Sequence, residues 1–146
     1  MQKLVWSTTV ASGKSRTRLI MPETEPQYSY YRDVAVIAVP DQDSVPMSSI
    51  RNLTGKMDSK GILHWKMPQG RWRIYRFGHT PNGKTNVATS PESGVGLECD
   101  KMNREAIRHF WESYPSILIS LAGDEIGKTF QRLEIDSYEA GGQDWT

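Results

Sequence analysis

The strongest pattern in this sequence is a change of hydrophobic period at Asn103. From there, eight apolar residues recur at the 3.6-residue spacing of one helical face: Ala106, Ile107, Phe110, Trp111, Tyr114, Ile117, Leu118 and Leu121. Asn103 is a plausible N-cap, Pro115 should kink or divide the helix, and Gly123 should end it. The second half of the chain is therefore predicted to contain an amphipathic helix with one interruption.

The first half has the short β-favouring runs of a sheet. Residues 3–10 are predicted to form a strand, and the continuous apolar run 34–39 predicts a strand buried on both faces. A short strand is expected around residues 50–53. Two aromatic stretches, 62–67 and 72–77, flank a Pro-Gln-Gly-Arg turn and predict a hairpin. The chain is thus predicted to be mixed α and β, with a β-rich region over residues 1–80 and a loop, helix and strand over 81–146.

Charge and hydropathy limit the possible partners. The chain has 146 residues with 18 basic and 17 acidic side chains, a formal net charge of +1, which argues against nucleic acid or an anionic membrane as partner. Its longest apolar run, residues 34–39, is far shorter than the ~20 residues of a membrane span. Cys99 is the single cysteine, so it cannot form an internal disulfide, and no other Cys or His stands at zinc-site spacing from it. It is predicted to be a buried small hydrophobe.

The polar end of a strand predicted over residues 130–136 points to acid-base chemistry. Asp136, Tyr138 and Glu139 follow this strand directly and precede two glycines. In α/β barrels the loops after the strands form the active site. Glycosidases use paired carboxyl groups there, and aromatic rings can stack on the sugar. Spacing alone nevertheless favours a plainer interpretation, in which Asp136 caps a turn and Glu139 is a solvated loop carboxylate.

The polar loop over residues 78–96 is a second candidate site. Long loops in compact domains are usually functional or disordered, and residues 79–86 offer donors and acceptors for sugar hydroxyls; an ordinary polar turn is the alternative. Gly78 and the Gly83-Lys84-Thr85 run match a phosphate-binding loop. Nucleotide binding is disfavoured because no helix is predicted to begin at Thr85.

Glu98 and Asp100 flank Cys99 and so stand two positions apart. In an extended segment both carboxylates would point to one face, which suits a hard cation or a sugar diol. Two oxygens do not make a metal site, and the alternative is that Asp100 helps cap the following helix while Glu98 is solvated. His64 and His109 have no partner at metal-ligand spacing and are assigned no role.

Four segments, in this order, resemble glycoside hydrolase family 106, the α-L-rhamnosidases: residues 30–36, 76–86, 96–101 and 135–141. The resemblance begins at residue 3 and covers nearly the whole chain. It implies an inverting, exo-acting enzyme on a (β/α)8 barrel. Residues 1–80 would be mostly a β-rich inserted region and residues 81–146 an incomplete βα portion of the barrel. The chain would then be an internal fragment, inactive by itself.

The resemblance also assigns roles. Glu139 would be the general acid that protonates the glycosidic oxygen, and the catalytic base would come from a later strand outside this chain. The sugar-binding residues would be Asp136, Tyr138, Asn86, Glu98 and Asp100. The partner would be a rhamnose-containing oligosaccharide or polysaccharide, and the parent enzyme would be periplasmic or secreted. Calcium is expected in the full-length enzyme, with no ligand assignable here.

One alternative function remains open, that of a non-catalytic carbohydrate-binding or structural β module. It predicts a closed sandwich, exposed aromatic side chains aligned on one face, and a Glu139 remote from any cleft. The helix predicted from Asn103 disfavours a purely β module.

Overall fold

The chain divides into two compact units. The computed structural model describes residues 1–86, 91–134 and 141–146. The first unit is Leu4–Pro81, here called the sheet unit, and the second, here called the helical unit, comprises Met1–Lys3 and Asn82–Thr146. Among the described residues, no helix is long and apolar enough to cross a membrane. Whether these units are an insertion and a piece of a barrel stays a prediction.

Antiparallel pairing organises the strands. They are β1 (Gln2–Ser12), β2 (Arg16–Arg18), β3 (Arg32–Pro40), β4 (Arg51–Asn52), β5 (Ile62–His64) and β6 (Arg71–Pro81). A four-stranded sheet has the order β1-β6-β3-β4, and β2 with β5 forms a second sheet. Strands β3 and β6 pair from Arg32–His79 to Pro40–Trp72, with a register shift between Asp33 and Ala35.

Three predicted strands are confirmed as β1, β3 and β4, but the hairpin prediction is wrong. Strand β5 pairs with β2, whereas β6 pairs with β3, so the two aromatic stretches lie in different sheets. Strand β6 also runs to Pro81, so residues 78–81 are strand rather than loop, and Gly78 and His79 pair with Asp33 and Arg32 at the start of β3. Nor is β3 fully buried on both faces: Val36 and Ala38 are 0% exposed, but Ala35, Ile37 and Val39, which alternate with them, are only half-buried.

The core of the sheet unit lies on one face of the larger sheet. Its largest fully buried apolar side chains are Leu63, Ile74 and Val36. Trp65 packs edge-on against Trp72 with ring centroids 5.2 Å apart. Each fully buried aliphatic side chain contributes about 1.5–3 kcal/mol to folding, so this face stabilises the unit.

A polar cluster joins β3 to β6 beside this core. Arg76 is 7% exposed, and its Nε and Nη2 donate to the two carboxylate oxygens of Asp33 at 2.8 and 3.0 Å. The Tyr31 hydroxyl donates to Asp33 Oδ1 at 2.7 Å, and burial together with this hydrogen bond raises the pKa of Tyr31. A Cβ at Gly78 would overlap the Tyr31 ring. The first two segments of the family resemblance therefore hold these strands together.

The helical unit confirms the predicted helix boundaries. The helices are α1 (Arg104–Ser113) and α2 (Pro115–Ala122). Asn103 Oδ1 accepts from the backbone N–H groups of Glu105 and Ala106 at 2.9 and 3.2 Å. Pro115 begins the second helix, and Gly123 ends it with φ 47°. The apolar face is largely exposed within this unit: Leu121, for example, is 79% exposed.

The strand predicted over residues 130–136 does not form in its described part. Phe130 makes an isolated bridge with Ile126, residues 131–134 have no regular secondary structure, and residues 135–136 lie outside the described residues. A strand forms only where a neighbouring strand takes up its backbone hydrogen bonds, and within the described residues no strand pairs with residues 131–134. The prediction that they belong to a barrel stays a prediction.

Candidate functional site

The three residues at the centre of the predicted site, Asp136, Tyr138 and Glu139, lie outside the described residues. Their assignment therefore stays a prediction. In the sequence, the segment that holds these three residues follows residues 131–134 and precedes residues 141–146, and both of these described stretches belong to the helical unit. The remaining candidates, Asn86 and the Glu98/Asp100 pair, also belong to this unit.

The residues after the undescribed segment pack against the polar loop. Asn82 Nδ2 donates to the Gly142 carbonyl at 2.9 Å, while Asn82 Oδ1 accepts from the Lys84 backbone N–H at 3.0 Å. Gly141 has φ 74°, and an ideal Cβ there would lie 3.0 Å from Lys84 Cγ. Because positive φ and close approach both favour glycine, Gly141 permits this contact. The loop thus reaches a point two residues after Glu139 in the sequence.

Asn86 closes the loop that contains it. Its backbone N–H donates to the Gly96 carbonyl at 3.0 Å, its Nδ2 donates to the Gly94 carbonyl at 2.8 Å, and its Oδ1 accepts from the Gly96 N–H at 3.1 Å. An amide has two donor hydrogens and two acceptor lone pairs. Counting contacts with the described residues, Asn86 therefore retains one donor and one acceptor for a sugar hydroxyl, in a position that its own loop fixes.

The phosphate-loop interpretation finds no support in this region. Thr85 forms an antiparallel bridge with Leu97, and Glu98 N donates to the Lys84 carbonyl at 3.4 Å. Of the described residues there, Thr85 lies in a bridge and Asn86 in a bend, so neither has the helical conformation of a phosphate-binding helix N-terminus. Gly78 is a strand residue that makes room for Tyr31.

Glu98 presents a partly free carboxylate. Its side chain is half-buried, and Oε1 accepts from the Cys99 N–H at 3.2 Å. Among the described residues Oε2 has no hydrogen-bond donor, so it can accept from a ligand hydroxyl. The Glu98 carbonyl accepts from the Met1 amino group at 3.0 Å, which anchors the start of the chain beside this residue.

Asp100 is held more tightly than Glu98. Oδ1 accepts from the Met102 N–H at 3.1 Å and from Gln143 Nε2, and Oδ2 accepts from the Thr146 hydroxyl at 2.8 Å. Burial acts to raise the pKa of Asp100, but the hydrogen bonds from Thr146, Gln143 and Met102 outweigh it and lower that pKa. Asp100 is therefore ionised at neutral pH, and it ties the start of the helical region to residues 143–146.

The described residues do not by themselves make a metal site. Within residues 1–86, 91–134 and 141–146, no group of three or more His, Cys, Asp or Glu side chains is placed to hold an ion. The expectation of calcium in a full-length enzyme is untested. Cys99 is half-buried rather than buried, and burial followed by the charge of Glu98 raises its pKa, which favours the protonated thiol.

The sequence analysis included Asn82 only as one residue of the loop 79–86, and it missed Gln143 and Thr146. Asn82 had a signal, since it stands in a Pro-Asn-Gly turn where its side chain bonds the backbone two residues on. Gln143 and Thr146 reach Asp100 across 43 and 46 residues. No local pattern reports such a contact.

Comparisons with known proteins match the chain to one family model and to two glycosidases. Residues 14–146 match glycoside hydrolase family 106, described as α-L-rhamnosidase. The chain is 33% identical over 178 aligned residues to a putative beta-glucuronidase of Formosa agariphila, covering all of this chain and 15% of that protein. It also resembles the structure of a rhamnosidase from Novosphingobium sp. PP1Y, with TM-score 0.57 and 35% identity over 78% of this chain and 10% of the other. The chain thus spans only a small part of these relatives.

Proposed function

Since this chain belongs to glycoside hydrolase family 106, we propose that it contributes part of an enzyme that hydrolyses terminal α-L-rhamnosyl linkages in plant or bacterial glycans. The match to the α-L-rhamnosidase family over residues 14–146 carries this proposal. The 35% identity to a solved rhamnosidase supports it.

In the proposed mechanism Glu139 is the general acid. It gives its proton to the glycosidic oxygen as the bond from that oxygen to the anomeric carbon breaks. A second carboxylate takes a proton from the attacking water on the opposite face of the sugar. In an inverting enzyme the two carboxyl groups stand roughly 6.5–9.5 Å apart to admit this water. We assign the second carboxylate to a residue outside this chain, so the chain alone should be inactive.

The described residues would bind the sugar and position the loop. Asn86 and Glu98 retain groups that can bond sugar hydroxyls, as their contacts leave one side-chain donor and several acceptors unused. Asp100 acts as an ionised anchor for residues 143–146. Asp136 and Tyr138 complete the proposed pocket. The contact of Asn82 with Gly142 supports this arrangement, because it joins the polar loop to the chain just after Glu139.

A second candidate activity is β-glucuronidase, favoured by the name of the Formosa agariphila relative. Both activities need a proton donor at the leaving oxygen, so Glu139 would have the same role in either. They differ in the sugar, since a glucuronide carries a carboxylate and a rhamnoside does not.

The two activities are separated by assaying the enzyme that contains this chain together with the remaining domains of the family. We expect release of 4-nitrophenol from 4-nitrophenyl α-L-rhamnoside and none from 4-nitrophenyl β-D-glucuronide. Turnover of the glucuronide alone would replace the rhamnosidase proposal with the second candidate. Turnover of neither substrate by the folded enzyme would count against both.

A further inference from the structure

Three aromatic rings lie in a row on the sheet unit. They belong to Trp6 on β1 and to Tyr75 and Phe77 on β6, and we call them the aromatic platform. The centroids of Trp6 and Tyr75 are 6.1 Å apart with an interplanar angle of 37°, and those of Tyr75 and Phe77 are 6.2 Å apart at 16°. Trp6 is 59% exposed, and the other two rings are half-buried. The two rings on β6 are thus nearly parallel.

The platform lies on the sheet face opposite the core. Along β6, Trp72, Ile74 and Arg76 are buried, while the alternating residues that include Tyr75 and Phe77 are not. Successive side chains of a strand point to opposite faces, so the platform shares no face with the core. The three rings therefore lie outside the core, and the Trp6 ring in particular is left open to solvent and to a ligand.

Polar groups border the platform. Beside Tyr75 is a cavity of about 400 Å³ that is also lined by Asp41, Gln42, Asp43 and Arg73. Arg73 Nη2 donates to Asp41 Oδ1 at 2.9 Å, and Arg71 Nη2 lies 3.3 Å from Asp41 Oδ2. The side chain of Arg73 is 43% exposed, so its remaining N–H groups can reach a ligand.

Flat rings beside fixed donors and acceptors match the chemistry of a sugar. The C–H face of a pyranose packs on an aromatic ring, while its hydroxyl groups both donate and accept hydrogen bonds. A purely apolar protein surface fits less well, because covering the Asp41–Arg73 pair would remove it from water without replacing its hydrogen bonds. The charged edge and the rings together thus favour a carbohydrate.

We propose that the aromatic platform, with Asp41 and Arg73 at its edge, is a glycan-binding surface that holds a neutral stretch of a sugar chain by stacking. It is additional to the pocket predicted around Glu139. That the sugar chain contains rhamnose rests on the proposed function. That the surface binds a glycan is inferred from its rings and charged groups alone.

The test measures binding to the 146-residue chain by isothermal titration, with oligosaccharides of a neutral α-L-rhamnan as the probe and dextran oligosaccharides as a glycan without rhamnose. We expect Trp6→Ala to weaken binding about tenfold, as for a truncated aromatic anchor, and Trp6→Phe to restore part of the loss. Trp111→Ala is the matched control, since Trp111 is a 44%-exposed tryptophan on α1. It should leave binding unchanged. Thermal unfolding of each variant shows whether the fold is intact.

Three results of the titration would overturn the proposal: binding of neither glycan, unchanged binding by a folded Trp6→Ala, or an equal loss with Trp111→Ala. If Trp6→Ala instead abolishes self-association seen by sedimentation, the surface is a protein contact. Binding of dextran alone would leave the platform a glycan surface with a different ligand. Failure of the proposed function is read separately, from absent hydrolysis of 4-nitrophenyl α-L-rhamnoside, a substrate too small to need the platform.

Discussion

Removal of the Asp33 carboxylate should destabilise the sheet unit strongly. Arg76 has a side chain that is 9% exposed and donates two hydrogen bonds to Asp33, so Asp33→Ala leaves a guanidinium buried without its counter-ion. Removing one partner of a buried pair costs about 3–5 kcal/mol. Because the Asp33 side chain is itself 28% exposed, water can replace part of the lost interaction, and we expect the lower end, about 3 kcal/mol.

Urea unfolding followed by tryptophan fluorescence measures this loss. The transition midpoint should fall while its slope stays constant, since the surface exposed on unfolding is unchanged. Asp43→Ala is the control, because Asp43 is an exposed carboxylate on the same unit, and it should change the free energy of unfolding by less than about 0.5 kcal/mol. A loss below about 1 kcal/mol for Asp33→Ala would refute the view that this ion pair holds β3 to β6.

Three further changes have definite expected results. Gly78→Ala should cost about 1–3 kcal/mol in urea unfolding, because its methyl group would overlap the Tyr31 ring. The hydrogen bond from His64 lowers the pKa of Asp58 to about 2, so its contribution to stability should be fully present above pH 4 and lost as the pH falls through about 2. The difference in unfolding midpoint between the native chain and Asp58→Asn should shrink over that range. Asn103→Ala should cost about 1 kcal/mol of helix stability, visible in thermal melts by circular dichroism, because two backbone N–H groups lose their acceptor.

Each of these three predictions has a control variant or a result that would contradict it. Gly55 has nothing within 4 Å of an ideal Cβ, so Gly55→Ala should be nearly neutral, and equal costs at both glycines would contradict the packing argument. A pH-independent difference for Asp58→Asn would mean that its carboxylate is not stabilised in the fold. Asn103→Asp keeps an acceptor and should retain the cap; if it melts like Asn103→Ala, the side-chain acceptor is not the cause.

Local signals in the sequence predicted local structure well. The boundaries at Asn103, Pro115 and Gly123 depend on backbone chemistry within a few residues, and each was confirmed. The apparent hairpin over residues 62–77 failed because β5 finds its partner β2 far away in sequence, at Arg16–His64 and its neighbours. A turn-forming Pro-Gln-Gly-Arg run permits a hairpin but does not choose the pairing.

In the candidate site, too, the sequence indicated residues but not their distant contacts. Asn86, Glu98 and Asp100 were singled out from residue type and resemblance, and they lie in one compact unit. Their actual partners were not predictable: Gln143 and Thr146 bond Asp100 across more than 40 residues. Such contacts depend on how the whole unit folds, which no local pattern encodes.

The central claim is that Glu139 protonates the leaving group of a rhamnoside, and one kinetic comparison tests it most directly. The longer enzyme carrying Glu139→Gln is assayed on two substrates. The alcohol of an alkyl rhamnoside needs a proton in order to leave, whereas the phenolate of 2,4-dinitrophenyl rhamnoside leaves without one. Glu134→Gln, an exposed carboxylate five residues earlier, is the matched control. We predict that Glu139→Gln loses most of its kcat/KM on the alkyl substrate and little on the activated one. Full activity of Glu139→Gln on both substrates would contradict the account.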